Sequence, residues 1–597
     1  MDPTVPSTTL RVMDVLDRTA AEHPYLPALR WKRDGQWHML TWREYHEQVR
    51  LVARALMRLG VGAGQCITII GFNRVEWFLA DVGAIYAGAI PAGIYTTSTS
   101  EQCAFIARHC EAPVAVVENR DQLRKFLDAR AQLPALKAIV LMDGSPKPDE
   151  RDVYSWNAFL ALAEETPVHA LDARVASQHA DDVCTLIYTS GTTGIPKGVM
   201  LTHDNITWTA SIAGQQLHIK ASDDAISYLP LSHIAEQITT VFGAMMYGFC
   251  VWFAESLEKL GENLREVRPM YFLAAPRVWE KMQERMQAVA AQNSSTKRRI
   301  AKWARGVGLV GGYADQAHAA KPMLYPVANK LVFSKVRAAL GLDRARILVT
   351  STAPISRDTL EFFLSLGMPI CEVYGMSECS GPATVSHPDD YLTGKVGKCL
   401  PGAELRVAED GEICMRGRHV FKGYYKDPVA TAEALDADGW LHSGDVGVLD
   451  ERGYLQITDR KKELIITSGG ENIAPQLVES VIKSIPVVSQ AVVMGDRQKF
   501  LTALLTLDPE KVVSAAREVG CEASDIPSAL RDERFVAFLQ GEIDRVNTRL
   551  ARVQTVKKFA VIDGEFTVEG GELTPTFKIR RKAIAQKYRT EIARLYE

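Results

Sequence analysis

The chain has 597 residues, enough for three to four average domains or for one large α/β domain with a smaller companion. Hydrophobic residues make up 47% and charged residues 24%, which excludes global disorder, collagen and coiled coil. Lys plus Arg total 69 against 72 for Asp plus Glu, so the basic excess of a dedicated nucleic-acid binder is missing and no nucleic-acid partner is expected.

The amino terminus, MDPTVPSTTLRVMDVLDRTAAEHP, shows no basic segment followed by an apolar run, and no secretory signal is expected. Ten cysteines, none in CxxC spacing, fit neither a disulfide scaffold nor a zinc or redox motif; a reducing compartment is the expectation. Arg43 to Leu59 reads as an amphipathic helix, and Cys66 to Ile70, CITII, as a strand too apolar to be exposed. Glu76 to Tyr86 and Ile90 to Ile94 repeat that order, as do Glu101 to His109 and Val114 to Val117. Such alternation predicts crossover units and a mainly parallel sheet.

Val183 to Tyr188 is a further apolar strand. Ile238 to Ala254, ITTVFGAMMYGFCVWFA, is at the lower limit for spanning a bilayer and contains two Gly, so it reads as a buried helix running into a strand. About 282 to 346 is a helix-rich insertion whose part from Lys297 to Arg346 is strongly basic, with KRRIAKWARG, Lys321, Lys330, Lys335, Arg337, Arg344 and Arg346 against Asp315 and Asp343. A solvated face is the plain reading; a basic amphipathic helix with Trp303 resting on anionic lipid is the other. Ala345 to Val349 and Met368 to Val373 are short strands, the second leading into Tyr374-Gly375. Near Asp459 a Gly-rich loop region gives way to new βα patterns, which predicts a division into residues 1–459 and 460–597.

Tyr188 to His203, YTSGTTGIPKGVMLTH, carries the strongest chemical signal. Successive N–H groups of a Gly-rich turn form an anion-binding concavity, Ser and Thr hydroxyls add donors, and the Lys197 ammonium can meet a polyphosphate. The spacing is not that of a P-loop, because Gly194 and Lys197 are separated only by Ile195-Pro196 and Gly follows the Lys.

This string resembles the signature of the adenylate-forming superfamily: acyl-CoA synthetases, luciferases and peptide-synthetase adenylation domains. YGMSE, Tyr374 to Glu378, resembles the family's Tyr-Gly-x-Thr-Glu element, with Ser377 keeping the usual hydroxyl. STAPIS, Ser351 to Ser356, stands where the family often has a Gly-rich turn, and Thr352 departs from Gly there. HSGDVGVLDERGYLQITDRKKELIITSGGENIAP, His442 to Pro475, and GGELTPTFKIRRKAI near the end also match. RPMYFLAAPRVWEKM, Arg268 to Met282, the helical insertion and ELTPTFKIRR are similar to long-chain fatty acyl-CoA synthetases, nearest the bubblegum type.

The resemblance implies a large α/β amino-terminal domain of several subdomains with mainly parallel sheets, and a small, mobile α+β carboxy-terminal domain. It implies that Thr189, Ser190, Gly191, Thr192, Thr193, Gly194 and Lys197 cradle the ATP phosphates. Thr352, Tyr374, Gly375 and Ser377 border the nucleotide, with Tyr374 stacked on adenine. Glu378 and Thr189 lie near Mg2+, Asp445 accepts both ribose hydroxyls, and Arg460 is its cationic companion. Lys462 is the hinge, Gly469, Gly470 and Glu471 turn toward CoA, His233 in LPLSHIAEQ borders the acyl carboxylate, and Lys578 is the catalytic cation. Lys582, Lys587 and the pair Arg580-Arg581 are its rivals.

On that reading the acid's carboxylate attacks the α-phosphorus of ATP, with Lys578 and magnesium lowering the repulsion of two anions and no general base needed. A thiol then attacks the acyl-adenylate after the small domain has rotated. Fatty acid, ATP and CoA are the implied substrates, long chains being favoured. Gly243 to Tyr247, GAMMY, is either tunnel lining or ordinary core. The reducing compartment and the missing secretory signal make a cytoplasmic location the expectation, the basic segment being able to touch the inner membrane surface; the family's relatives form dimers, so a homodimer is what the resemblance implies, while the residues themselves leave the oligomeric state open. Two alternatives stay open: an acyl-AMP ligase that loads a carrier protein, and an inactive nucleotide-binding scaffold, against which Lys578, Glu378, Asp445 and Arg460 together argue.

Overall fold

The alternating helices and apolar strands from Cys66 to Thr189 assemble into one sheet because each buried strand needs neighbours on both edges and helices over both faces. The computed structural model describes residues 8–189, 196–468, 471–567, 570–574 and 579–597. Cys66–Ile70 lies between Ile90–Ile94 and Val114–Val117 in parallel register and is buried along its whole length. The sheet continues through Ala138–Leu141 to Val153–Ser155 on one side and through Val183–Thr189, Lys197–Thr202 and Gly423–Tyr424 on the other, eight strands in all. Its last two pairings are antiparallel.

The helix before the first of these strands is Trp42–Arg58. Thr41 caps it, accepting from the Glu44 N–H while Glu44 Oε2 accepts from the Thr41 N–H at 2.8 Å, a capping box. Its buried Trp42, Tyr45, Val49, Val52 and Leu56 recur at helical spacing. They face Val75–Tyr86, where Gly83 lets the helices close: a Cβ there would stand 2.5 Å from Val52 Cγ1.

A nine-stranded sheet forms the second layer set, ordered Lys398–Cys399, Gly381–Val385, Cys371–Met376, Ile347–Thr350, Tyr271–Ala274, Asp224–Ser227, Cys250–Phe253, Pro27–Arg33 and Gln36–Thr41. Its middle is parallel and its margins antiparallel. The expected strand at Met368 to Val373 begins instead at Cys371 and runs through Tyr374 and Gly375 to Met376, because pairing with Gly381–Val385 extends it. Ile238 to Ala254 is a buried helix running into a strand: Gln237–Phe242 is a π-turn, Gly243–Tyr247 is α-helical, Gly248 closes it at φ 74°, and Cys250–Phe253 follows. GAMMY packs beside the amino-terminal helix, whose Thr19 Oγ1 donates to Met245 O at 2.6 Å. No helix among the described residues is long and apolar enough to cross a membrane.

The insertion is helical, with Pro276–Ala291, Ser295–Gln316, Tyr325–Ala328 and Ser334–Leu340. Its long helix meets the body on a glycine face; a Cβ at Gly308 would come 2.0 Å from Ser365 O.

Residues before Asp459, expected as Gly-rich loop, form a hairpin of Leu441–Leu449 and Leu455–Arg460 in a four-stranded antiparallel sheet with Glu404–Val407 and Glu412–Arg416. The glycines sit at bends and bulges, and the strand ends on Arg460. Beyond it stand a three-stranded sheet of Val488–Met494, Leu501–Leu507 and Val556–Val561 and two hydrophobic clusters drawn only from residues 465 onward.

Candidate active site

Lys197 and Thr189 face each other across the hairpin that carries the expected phosphate loop, since Val183–Thr189 and Lys197–Thr202 pair with Thr189 opposite Lys197. The loop residues Ser190, Gly191, Thr192, Thr193 and Gly194 lie outside the described residues. A strand follows the loop here where a P-loop would start a helix, so the expected phosphate loop springs from the strand-end edge of the sheet. The segment 421–425 fastens that edge to the second sheet: Phe421 N donates to Glu378 O at 2.8 Å, Lys422 N to Met200 O at 3.0 Å and Tyr425 N to Gly198 O at 2.7 Å.

Tyr424 therefore stands between two expected site residues. The Lys197 ammonium lies 4.9 Å from its ring centroid, and its phenol donates to Glu378 Oε1 at 2.7 Å. Burial raises the Glu378 pKa; the Tyr424 hydrogen bond and the Arg460 charge oppose that. A buried carboxylate short of positive charge is a place where a divalent cation gains most. Nothing in GYYKD distinguished Tyr424 in the sequence.

Tyr374 and Asp445 come together from different sheets, the Tyr374 phenol donating to Asp445 Oδ2 at 2.8 Å. Asp445 sits on a β-bulge. Glu412 pairs with Val446 and Cys414 with His442, so Ser443, Gly444 and Asp445 all stand opposite Ile413. Gly444 supplies the positive φ, 69°. Three bonds hold the bulge: Gly444 N to Glu412 Oε1 at 2.9 Å, Ser443 Oγ to Ile413 O at 2.6 Å, and Asp445 N to Ser443 Oγ at 3.0 Å. Arg460 is Asp445's partner across the hairpin, its Nε 3.4 Å from Asp445 Oδ1. Glu412, which sequence reasoning missed, is thus the anchor of the bulge, and Lys461 neutralises it at 2.9 Å.

Gly375 is required by its neighbour, because a Cβ there would fall 1.7 Å from Gly381 O. Ser377 and Glu378 follow in a buried single turn. Thr352 has φ 76°, the left-handed region that β-branched residues avoid, which accounts for the family's preference for Gly at that turn.

His233 caps a short helix, its Nδ1 accepting from Ala235 N at 3.1 Å. One turn on, the wholly buried Glu236 gathers the Ser227 hydroxyl at 2.6 Å and the Thr240 hydroxyl at 3.0 Å, while Asn73 Nδ2 donates to Ser227 Oγ and Leu229 O. Burial pushes the Glu236 carboxyl up to about 7. This polar knot ties the strand Asp224–Ser227 to the His233 turn and was not singled out in the sequence.

Lys578, Gly469 and Gly470 lie outside the described residues. Lys462 and Glu471 are exposed, and the Glu471 N–H donates to Thr467 Oγ1 at 3.3 Å. Of the rivals to Lys578, Arg581 is buried against Glu479 and donates to Val493 O at 2.8 Å, and Lys587 is paired with Glu572. Ion pairs join this part of the chain to the rest: Lys511 with Glu284 at 3.0 Å and Arg549 with Asp358 at 3.3 Å. Surface pairs of this kind are worth about 0–1 kcal/mol each, little resistance to a rotation.

Residues 16–425 match the AMP-binding enzyme family, and residues 462–597 the AMP-binding enzyme C-terminal domain. The long-chain-fatty-acid–CoA ligase ACSBG2 of Xenopus laevis is 45% identical over 96% of this chain and 81% of its own length. The human ligase ACSBG1 is 38% identical over 100% of this chain and 87% of its own. Among solved structures, the adenylation domain of a carboxylate reductase from Mycobacterium chelonae superposes with TM-score 0.78 at 20% identity, covering 99% of this chain and 92% of that one. The anthranilate CoA ligase AuaEII in complex with anthranoyl-AMP gives TM-score 0.74 at 20% identity, with 98% of both chains covered.

Proposed function

The chain belongs to the AMP-binding enzyme family, among long-chain-fatty-acid–CoA ligases of the bubblegum type, and we propose that it activates a fatty acid with ATP and passes the acyl group to CoA. The acid's carboxylate attacks the α-phosphorus, pyrophosphate leaves, and an acyl-adenylate remains. The CoA thiol then attacks its carbonyl, forming the thioester and releasing AMP.

The observation that carries this reading is the convergence of Tyr374, Asp445, Arg460, Glu378, Tyr424 and Lys197 where the two large sheets meet the four-stranded one. Asp445 has two acceptor oxygens for two ribose hydroxyls, and Arg460 beside it adds positive charge. Thr189 and Lys197 flank the phosphate end, and the buried Glu378 fits a divalent cation for the reason given above. Magnesium held by Glu378 and Thr189 would supply charge neutralisation between the two reacting anions. We assign the mobile cation to Lys578, the acyl-carboxylate border to His233, the hinge to Lys462 and the turn toward CoA to Gly469, Gly470 and Glu471. The working division of the chain is 1–459 and 460–597, with the second part rotating between half-reactions.

Peripheral membrane contact is part of the same reading. On the helix Ser295–Gln316, Ile300, Trp303 and Val310 are open to solvent along one side beside Arg298, Arg299 and Lys302. Met323, Leu324, Val327 and Leu331 continue the apolar exposure, with Met323 94% exposed. Cationic side chains with exposed apolar ones between them suit an anionic lipid surface.

The deciding experiment incubates the purified chain with ATP, magnesium and a panel of fatty acids of increasing length, with and without CoA. Acid-dependent pyrophosphate exchange without CoA, and AMP formed in step with acyl-CoA when CoA is added, are expected. Release of ADP, or nucleotide turnover indifferent to the acid, would overturn the assignment.

A further inference from the structure

Glu412, Cys414 and His442 carry a donor set of their own beneath the Asp445 bulge. Glu412 and Cys414 are two apart on one strand and share a face, and the sheet register sets His442 opposite Cys414. His442 Nδ1 lies 3.3 Å from Glu412 Oε2 and 3.6 Å from Cys414 Sγ, and the three donor atoms all lie within 4.8 Å of one another. A tetrahedral ion that bonds N or O at about 2.05 Å and S at about 2.3 Å holds its N–O pair about 3.3 Å apart and its N–S pair about 3.6 Å apart. The two measured separations agree with that geometry.

The surroundings point the same way. His442 Nε2 faces Asp436 Oδ2 at 3.4 Å, the arrangement in which a carboxylate takes one ring N–H and leaves the other nitrogen's lone pair for a metal. Glu412 and Cys414 are buried, while the His442 side chain is 34% exposed and gives a way in. The Lys461 ammonium, 2.9 Å from Glu412 Oε2 and 2.6 Å from Asp410, marks Oε2 as a position that takes a cation.

We propose that Glu412, Cys414 and His442 form a binding site for a thiophilic divalent cation, zinc fitting best. Binding makes one bond each to Oε2, Sγ and Nδ1, releases the thiol proton and any proton on Nδ1 to solvent, and leaves water in the fourth position; no atom is oxidised or reduced. The ion displaces Lys461 from Oε2 onto Asp410, while Oε1 keeps the Gly444 N–H.

The test titrates the full chain with Zn2+ by calorimetry and with Co2+ by absorption. One high-affinity ion per chain is expected, and Co2+ should give a thiolate-to-metal charge-transfer band that Cys414→Ser abolishes. Asp436→Asn should weaken zinc about tenfold. Lys461→Met, which removes the competing ammonium, should tighten it while keeping one ion per chain and an unchanged charge-transfer band, which a misfolded variant exposing other Cys and His would not. A wild type without the charge-transfer band, wild-type affinity in Cys414→Ser or His442→Ala, or unchanged or weaker binding in Lys461→Met would overturn the proposal.

Discussion

The Tyr374 phenol donates to Asp445 Oδ2 at 2.8 Å, joining the strand that ends in the Tyr-Gly-Met-Ser-Glu element to the bulge of another sheet. Tyr374→Phe keeps the ring and removes one hydrogen bond to a charged group, worth about 1.5–3 kcal/mol. With one bond fewer orienting the Asp445 carboxylate, the KM for ATP should rise about tenfold while kcat changes less. Equal KM values in the two proteins would show that Asp445 is held by other means.

Lys578→Ala should abolish acid-dependent pyrophosphate exchange yet leave thioester formation from supplied acyl-AMP measurable, since the cation is needed only where two anions meet. Arg581→Ala, by contrast, should lower stability, because it uncovers the buried Glu479. Loss of both half-reactions in Lys578→Ala would remove its assigned role.

Asp81 is buried in the helix Val75–Tyr86 near Tyr45 and Cys184, and among the described residues neither carboxylate oxygen has a hydrogen-bond partner. Burial pushes its carboxyl up to about 8 from 3.8. A raised pKa means that the folded state holds the proton more tightly. This contribution is complete below pH about 4 and is lost as pH rises through about 8, with a limiting slope of about 1.4 kcal/mol per unit. Asp81→Asn should flatten that part of the stability profile and raise stability at pH 8, as urea unfolding at several pH values would reveal.

Thr352 sits at φ 76°, where a residue with a Cβ loses about 1–2 kcal/mol. Thr352→Gly should stabilise the fold by about 1 kcal/mol and raise Tm, its greater unfolded-state entropy taking back part of the gain. A lower Tm would mean that the Thr side chain makes contacts that outweigh the strain.

Reversing Lys297, Arg298, Arg299 and Lys302 to Glu should remove co-sedimentation with vesicles containing phosphatidylserine, and Trp303→Ala should weaken it about tenfold. Binding that survives the reversal, or that is equal on neutral phosphatidylcholine, would contradict the membrane reading.

Strands and helices were legible where a run of residues settles its own conformation. Cys66 to Ile70, Ile90 to Ile94 and Val114 to Val117 were bounded correctly because each is an apolar run closed by turn residues. The strand through Tyr374 was misjudged because its end is set by a partner, Gly381–Val385, and not by its own composition. The Tyr188 to His203 string, the Tyr-Gly-Met-Ser-Glu element and the Gly-Asp at Asp445 could be matched to the family because each is a short contiguous string.

By itself, then, the sequence determined the α/β alternation and the short strings that mark the family. Only the tertiary structure decided that Tyr424 mediates between Lys197 and Glu378, that Glu412 anchors the bulge under Asp445, and that Cys414 faces His442. Those pairs are separated by 28 to 227 residues, and Cys414 meets His442 through sheet register, where an offset of one residue would turn the side chains to opposite faces.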